Sequence, residues 1–228
     1  MYLTEKTINY LNNNGYTLFL NPKELQEVTN HLKKHSYYLY KPYPYSEKNI
    51  IYTYQEPPLT LYEIKIGIPI KHSDILGTLY SLQIEDNLFG DIIVDNNHYY
   101  FYTYSYMKTF FEMEFLKIKN SHIELIERDT NYLNDYKPHF LEITIINNSL
   151  RIDSIIAKVI HTNRDNVKEL IKDKKIIYNC DILKNNAKIL HEGDTFSIRK
   201  FGKFKFDSIL ANTKKDNLVI QILKYIDN

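Results

Sequence analysis

The strongest constraint in this 228-residue sequence is a pair of short amphipathic helices, each opened by an arginine. Arg151 starts a predicted helix to Ile160, and Arg164 starts a second one to Asp173. Their predicted inward-facing residues are Ile152, Ile155, Ile156, Val159, Val167, Leu170 and Ile171. Strands are predicted at about residues 141–146, 176–178, 195–199, 203–209 and 218–223. We therefore predict a small α/β module over residues 141–228.

The net charge of the chain, +1, hides an uneven distribution. Residues 143–228 contain 16 basic and 10 acidic side chains, a net charge of +6, whereas residues 1–142 contain 13 and 18, a net charge of −5. A basic module joined to an acidic body suits a protein that presents one face to a polyanion such as RNA. Chance clustering of solvated lysines would give the same numbers.

Residues 59–127 alternate between strand-like and helix-like segments. Strands are predicted at 61–68, 91–94, 98–103 and 121–126, with helices after the first and third of them. This strand–helix–strand–strand–helix–strand order is that of the ferredoxin-like plait found in RNA-recognition motifs. The aromatic run 99–102 would place alternate rings on opposite faces of a strand, so base stacking and core packing both stay open.

The N-terminal segment is predicted to contain helices and a strand. Asn21, Pro22 and Glu24 together form a strong helix start, and this helix is predicted to run to about His35. The stretch Glu56-Pro57-Pro58 marks a boundary. The sequence thus predicts an α+β protein with a helical and β N-terminal segment at 1–58, a ferredoxin-like (RRM-like) middle domain at 59–140, and the C-terminal α/β module at 141–228.

The last third contains a fixed order of motifs: Arg151-x-Asp153, Asn163-Arg164, the basic turn Lys174-Lys175 into a strand with Asn179, and Glu192-Gly193-Asp194. This order resembles the small RNA-binding module named after ribosomal protein S-four. Two further segments are the strand–turn–strand of residues 197–206 and a middle-domain signature at residues 72–77 and 89–95. With them, the chain looks like a member of the YlmH family.

The sequence departs from the family's usual pattern at four positions. Ser73 stands where the family usually has Arg, which puts an RNA contact there in doubt, and Asn163 stands where it has Ser. Lys174 and Cys180 stand near positions that are usually Gly. Asn163 can still cap the second helix. Lys174 implies a turn that either avoids a positive φ or tolerates its strain.

The resemblance implies a partner and a role. It implies binding to ribosomal RNA of the large subunit near transfer RNA, and participation in ribosome-associated quality control. YlmH proteins there help the alanine tailing of blocked nascent chains, so a tailing factor is an expected partner. No apolar run reaches the roughly 18 residues that a membrane span needs. We therefore expect a soluble, cytoplasmic, monomeric bacterial protein without membrane contact.

The RNA-binding surface is predicted from basic residues of the C-terminal module. Arg151 and Arg164 can reach one phosphate-bearing ridge, where helix N-termini add N–H donors. Both are expected to be largely exposed and dispensable for stability, and Asp153 is expected to fix Arg151 or a cap. A solvated charged face is the alternative interpretation. The predicted RNA-binding residues are Arg151, Arg164, Lys168, Lys172, Lys175, Arg199, Lys200 and Lys203.

The sequence favours a protein without catalytic activity, cofactor or metal. It lacks the Gly-Arg-Leu-Asp strand of pseudouridine synthases that carry this module, and it contains no Gly-x-Gly for a methyltransferase cofactor loop. His31 and His35 are spaced i, i+4 on a predicted helix, which a metal could use, but a surface pair is the simpler interpretation. Cys180, the only cysteine, is predicted to be buried or half-buried.

A second function from a different class stays open. The acidic N-terminal body could dock a protein partner, which would make the chain a protein-interaction adaptor with incidental RNA binding. The charge division suits both functions.

Overall fold

A computed structural model describes residues 2–33 and 35–226, which form an α+β fold as predicted. The helices are α1 (Tyr2–Asn14), α2 (Pro22–His31), α3 (His72–Ser81), α4 (Lys108–Glu114), α5 (Ile152–Val159) and α6 (Arg164–Lys172). The strands are β1 (Tyr38–Tyr40), β2 (Ile50–Tyr52), β3 (Leu59–Ile66), β4 (Phe89–Asp95), β5 (His98–Tyr104), β6 (Lys117–Ile118), β7 (Ser121–Arg128), β8 (Phe140–Asn147), β9 (Ile176–Tyr178), β10 (Asp181–Ile182), β11 (Thr195–Ile198), β12 (Gly202–Asn212) and β13 (Leu218–Tyr225). No helix in the described ranges is long and apolar enough to cross a membrane.

Two compact units divide the chain after residue 137. Unit 1 holds the described residues up to Lys137, and unit 2 spans Pro138–Ile226. The boundary predicted at residue 140 lies close to this division, whereas the one predicted at residue 58 lies within unit 1. The further division of unit 1 into two domains stays a prediction.

Unit 1 is built on a five-stranded antiparallel sheet in the order β4-β5-β3-β7-β6. On one face, α3 and α4 contribute Ile75 and Phe111 to a buried cluster with Phe101 of β5. On the other face, Phe19 of the N-terminal segment is buried with Tyr102. The sheet therefore has helices on one face and the N-terminal segment over part of the other.

The aromatic run in β5 is core rather than a stacking surface. Tyr99 and Phe101 belong to the cluster beneath α3 and α4, and Tyr100 and Tyr102 belong to the cluster beneath the N-terminal segment. All four side chains are at most 5% exposed. The hydroxyl of Tyr102 donates to the carbonyl oxygen of Thr130 at 2.9 Å. Of the two interpretations that the sequence left open, packing is therefore correct for these rings.

Helix α2 begins as predicted and ends earlier. The side chain of Asn21 accepts hydrogen bonds from the N–H groups of Lys23 and Glu24, and the Glu24 carboxylate accepts one from the N–H of Asn21, all at 3.0 Å. This reciprocal cap satisfies donors that the start of a helix leaves without partners. Because the helix ends at His31, that residue and His35 do not share a helix, and the predicted i, i+4 pair is wrong.

Unit 2 packs α5 and α6 on one face of a six-stranded sheet in the order β10-β9-β11-β12-β13-β8. The predicted inward-facing residues of both helices are confirmed, because Ile155 and Val167 are fully buried with Phe206 of the sheet. Strand alternation points Phe206 and Phe204 toward the helices and Lys203 toward the opposite face. The core of unit 2 therefore lies between the two helices and one face of the sheet.

Several turns of unit 2 hold non-glycine residues in the left-handed backbone region, and two of them bear on the predictions. Lys174, between α6 and β9, has a φ of 57°, so its turn tolerates the strain of about 1–2 kcal/mol that a side chain brings there. Asn179 and Cys180, between β9 and β10, have φ values of 44° and 69°, as in tight hairpin turns. Cys180 is exposed in this turn, so the prediction that it is buried or half-buried is wrong.

We expect Ile155→Ala to lower the free energy of unfolding by about 2–5 kcal/mol, because it leaves a cavity at a fully buried position of α5. Lys158→Ala in the same helix is the matched control. Lys158 is exposed, and its removal should change the free energy of unfolding by less than about 0.5 kcal/mol. Urea unfolding followed by circular dichroism measures both variants, and equal effects would contradict the placement of Ile155 in the core.

Candidate nucleic-acid interface

Two arginines of unit 2 converge on one buried carboxylate. Arg151 directly precedes α5, and Arg164 is the first residue of α6. Arg151 donates from Nε and Nη2 to Asp153 at 3.2 and 2.9 Å, and Arg164 donates from Nη2 to the same carboxylate at 2.7 Å. The side chain of Asp153 is 0% exposed, against 35% and 49% for Arg151 and Arg164. The expectation that Asp153 fixes Arg151 is confirmed.

We call Arg151 and Arg164, with the Asp153 carboxylate that they share, the arginine pair. Its electrostatics follow from the burial of Asp153 and from the hydrogen bonds that this carboxylate accepts. Burial acts to raise the pKa of Asp153, but hydrogen bonds from Arg151 and Arg164 outweigh it and lower the pKa to about 2. The carboxylate is therefore ionised at neutral pH. The stability that this ion pairing contributes is present above the ordinary carboxyl pKa of 3.8 and is lost as the pH falls through about 2.

The arginine pair changes one expectation drawn from the sequence. Both arginines were expected to be largely exposed and dispensable for stability. Arg164 is exposed and Arg151 is half-buried. Both pair with a buried charge, and an ionised group that loses its partner in a protein interior destabilises the fold. The two arginines therefore have a structural role in addition to any contact with RNA.

Four other predicted RNA-binding residues lie toward the other end of α6, and we call them the turn cluster: Lys172, Lys175, Arg199 and Lys200. The N–H of Arg199 donates to the carbonyl oxygen of Lys175 at 2.9 Å, which joins the turn after α6 to the turn between β11 and β12. Lys172, Arg199 and Lys200 are exposed, and Lys175 pairs with Asp173 at 2.7 Å. The turns that carry Lys175 and Arg199 therefore lie side by side, although they are far apart in the sequence.

The remaining two predicted residues lie outside the two turns, in α6 and β12. Lys168 is one helical turn after Arg164 and pairs with Asp165 at 2.8 Å. Lys203 lies on the sheet face opposite the helices, with its Nζ 5.0 Å from the centroid of the Tyr225 ring. The eight residues therefore do not share one face of unit 2, and their contact with RNA stays a prediction.

Asn186 also contacts the carboxylate of the arginine pair, although no sequence motif indicated this. Its Nδ2 donates to Asp153 at 3.3 Å. The loop that carries it is held beside α5 by a hydrogen bond from the N–H of Ile152 to the carbonyl oxygen of Lys188 at 2.8 Å. The contact joins residues 33 positions apart, so no local pattern could have revealed it.

Asn163 caps the second helix as predicted. Its side-chain oxygen accepts a hydrogen bond from the N–H of Asn166 at 2.8 Å, which fixes the start of α6. Arg164 follows directly, so this cap helps to determine where its guanidinium group lies.

Unit 1 contains a comparable buried carboxylate, that of Glu63 in β3, whose side chain is 2% exposed. Lys65 and Arg128 form ion pairs with it, and Nδ1 of His98 lies 3.1 Å from it. Burial acts to raise the pKa of Glu63, but hydrogen bonds from Lys65, Arg128 and His98 outweigh it and lower the pKa to about 2. These contacts join β3 to β5 and β7.

Among the described residues, no three His, Cys, Asp or Glu side chains are grouped as metal ligands.

The fold and these side chains define an α+β protein whose C-terminal unit carries clustered basic groups around two helices. Residues 58–132, in unit 1, match the family model described as "Putative RNA-binding domain in YlmH". A curated protein of Bacillus subtilis (strain 168), "Ribosome-associated protein quality control protein P2", is 24% identical over 152 residues. The match covers 65% of this chain and 58% of that protein, so the chain spans less than two thirds of the relative's length.

The family-model match and this relative confirm the resemblance to the YlmH family, and the matched residues 58–132 lie within unit 1. A solved structure described as "Cell division protein ylmH from Streptococcus pneumoniae" is also similar, with a TM-score of 0.49 and 20% identity. The similarity covers 59% of this chain and 92% of that one.

We expect the double variant Arg151→Ala/Arg164→Ala to lower the free energy of unfolding by about 1–3 kcal/mol, because the buried Asp153 carboxylate loses its charged partners. The destabilisation should shrink in acidic buffer, where Asp153 without its arginines can take up a proton. Chemical unfolding at several pH values measures this.

The control for this prediction is Arg199→Ala/Lys200→Ala, which removes the same charge from two exposed side chains of a turn. It should leave stability within about 0.5 kcal/mol of the wild type. A loss as large as that of the arginine variant would show that overall charge, and not the pairing with Asp153, determines the stability.

Proposed function

We propose that the chain is a non-catalytic RNA-binding protein that associates with the large ribosomal subunit. The observation that carries this proposal is the concentration of basic side chains at the arginine pair and the turn cluster of unit 2. Guanidinium and ammonium groups bind phosphate oxygens, and most of the affinity of such surfaces for RNA comes from those contacts. The name of the similar Bacillus subtilis protein supports the link to the ribosome.

The main phosphate contacts belong to unit 2 in this proposal. The stretch that matches the RNA-binding family model, residues 58–132, contains 6 basic and 11 acidic side chains, a net charge of −5. Residues 143–228 have a net charge of +6. Because phosphate repels an acidic surface, unit 1 is proposed to add shape or base contacts rather than to supply the main electrostatic attraction.

We also propose a specific fold for each of the two units. A ferredoxin-like plait in unit 1 is supported by the strand order β4-β5-β3-β7 with α3 and α4 on one face. A module of the S-four type in unit 2 is supported by two short adjacent helices with arginines at their starts, followed by antiparallel strands.

The biological role proposed for the chain is assistance to ribosome-associated quality control in the cytoplasm. Its partners are ribosomal RNA of the large subunit, transfer RNA and a nascent-chain tailing factor, and it acts as a monomer. It stabilises one arrangement of a stalled large subunit during alanine tailing and does no chemistry itself. This role is supported by the name of the similar protein and by the family resemblance.

We expect the affinity of the full chain for large-subunit ribosomal RNA to fall steeply with salt. Each phosphate contact releases counterions, so the logarithm of the association constant should fall with the logarithm of salt concentration by about 0.7–0.9 per contact. Arg199→Ala/Lys200→Ala should weaken binding and make this slope shallower. Fluorescence anisotropy of labelled RNA at several salt concentrations measures both effects.

Lys214→Ala/Lys215→Ala is the matched control, because it removes the same charge from exposed residues of the loop between β12 and β13. It should leave the slope unchanged. A wild-type affinity that does not depend on salt would reject the RNA-binding proposal. Cosedimentation with large subunits that survives RNase treatment would favour the alternative, a protein-interaction adaptor that docks through unit 1.

We expect the protein to raise the yield of alanine-tailed chains in a reconstituted reaction with stalled large subunits, charged transfer RNA and a tailing factor. The effect should saturate at one protein per subunit, because an adaptor acts by occupying its site. Arg199→Ala/Lys200→Ala should need a higher concentration for the same yield. Tailing that is unchanged by the wild-type protein would reject the quality-control role, and turnover of RNA by the protein alone would reject the non-catalytic assignment.

A further inference from the structure

Strand β8 is an open edge of the sheet in unit 2. It lies at the end of the strand order, pairs with β13 along its whole length and has no second neighbouring strand among the described residues. The opposite edge is the two-residue strand β10. In contrast, β8 is eight residues long, contains no proline and has one charged side chain, that of Glu142. Long edge strands with these properties can pair with a strand from another chain.

The backbone of β8 directs alternate residues toward β13 and toward solvent. Just beyond the two strands, the N–H of Ile226 donates to the carbonyl oxygen of His139 at 3.2 Å. The register continues from there without a shift, so the odd-numbered residues of β8 bond to β13. The outward N–H and C=O groups therefore belong to the even-numbered residues Phe140, Glu142, Thr144 and Ile146. Within residues 2–33 and 35–226, no hydrogen bond uses these backbone groups.

Side chains on both faces of β8 are exposed, so a further strand has room beside it. Leu141 points to the same side as Ile145, which is buried against the helices, and Leu141 is nevertheless 52% exposed. Ile146 points to the opposite side and is 56% exposed. A strand added at this edge would cover apolar surface on both faces and supply the missing hydrogen bonds.

The sequence of β8 is complementary to itself in the antiparallel direction. A second copy of the chain, the partner, can align so that Ile143 faces the partner's Ile143. Phe140 then faces the partner's Ile146, and Glu142 faces the partner's Thr144, in the pairs that exchange hydrogen bonds. Apolar side chains lie opposite apolar ones, and the two Glu142 carboxylates do not face each other. Such a two-fold contact closes on itself and leaves no further open edge at the seam.

From this geometry we infer that β8 is a self-association site, through which two copies of the free protein pair edge to edge and join their unit 2 sheets. The partner is a second copy rather than an unrelated extended segment, because β8 supplies both the hydrogen-bonding groups and the apolar side chains that fit its own edge. Two eight-residue strands form a small interface, so the dimer should be weak and should dissociate on dilution. The inference adds a state of the unbound protein to the proposed function, which concerns one copy on a large subunit.

Thr144→Pro tests the edge without removing a hydrogen bond to β13. It removes an N–H that points outward, and proline is tolerated on a strand at a position whose N–H faces solvent. The two-fold pairing loses this donor in both copies, so we expect the dissociation constant to rise about tenfold or more. Thr144→Val keeps the N–H and should associate like the wild type. Sedimentation velocity over a concentration series measures all three proteins, in reducing buffer because the exposed Cys180 can otherwise form a disulfide between copies.

A matched pair of lysine variants tests the register and stays informative if Thr144→Pro does not fold. Thr144→Lys and Ile146→Lys each add one positive charge at an exposed residue of β8. In the inferred register the first lysine faces the partner's Glu142, so association should be at least as tight as in the wild type. The second lysine faces the partner's Phe140 and should weaken association several-fold. Chemical unfolding of every variant shows whether a loss of association comes from a loss of folded protein.

The expected result is a wild-type dimer that Thr144→Pro and Ile146→Lys weaken and that Thr144→Lys preserves. A wild-type protein that stays monomeric at every concentration would overturn the inference and would leave the RNA-binding proposal unaffected. Association of folded Thr144→Pro at wild-type strength would show that another surface joins the copies, and it would overturn the inference too. Equal weakening by the two lysine variants would reject the register, and with it the self-complementarity that identifies the partner as a second copy.

Discussion

The organisation of unit 2 depends on the hydrogen bonds that the buried carboxylate of Asp153 accepts. This carboxylate lies in the first turn of α5 and accepts hydrogen bonds from the residue that precedes this helix, from the first residue of α6 and from the loop around Asn186. A negatively charged group that is buried away from water must be compensated by nearby cations and hydrogen-bond donors. Asp153 therefore holds the starts of the two helices in place relative to each other. The same hydrogen bonds hold the two arginine side chains in position.

Unit 1 uses the same physical principle within a sheet. Glu63 is buried in the central part of the sheet, and its partners come from β3 itself, from β5 and from β7. In both units an ionised carboxylate holds basic side chains that are partly exposed. The units differ in what surrounds the carboxylate. The N-terminal segment covers part of the sheet face in unit 1, whereas the arginine pair lies at the N-termini of two adjacent helices in unit 2.

Local patterns predicted the features that depend on neighbouring residues. The cap of α2 by Asn21, the cap of α6 by Asn163 and the inward-facing residues of α5 and α6 are all confirmed, because each involves residues within one or two helical turns. The prediction that His31 and His35 share a helix was wrong, because the helix ends one turn earlier than the hydrophobic pattern suggested. The prediction that Cys180 is buried or half-buried was also wrong, because composition cannot show that a residue occupies the tip of a hairpin turn.

The sequence by itself determined the α+β class and the basic character of the C-terminal unit. These follow from hydrophobic periodicity, from charge and from motif order, which are properties of the linear chain. Only the tertiary structure decided that the β5 aromatic rings are buried, that Lys203 faces away from the helices, and that Arg151 and Arg164 meet at Asp153 with Asn186. Those arrangements depend on contacts between residues far apart in the sequence, and on which surfaces lose water when the chain folds.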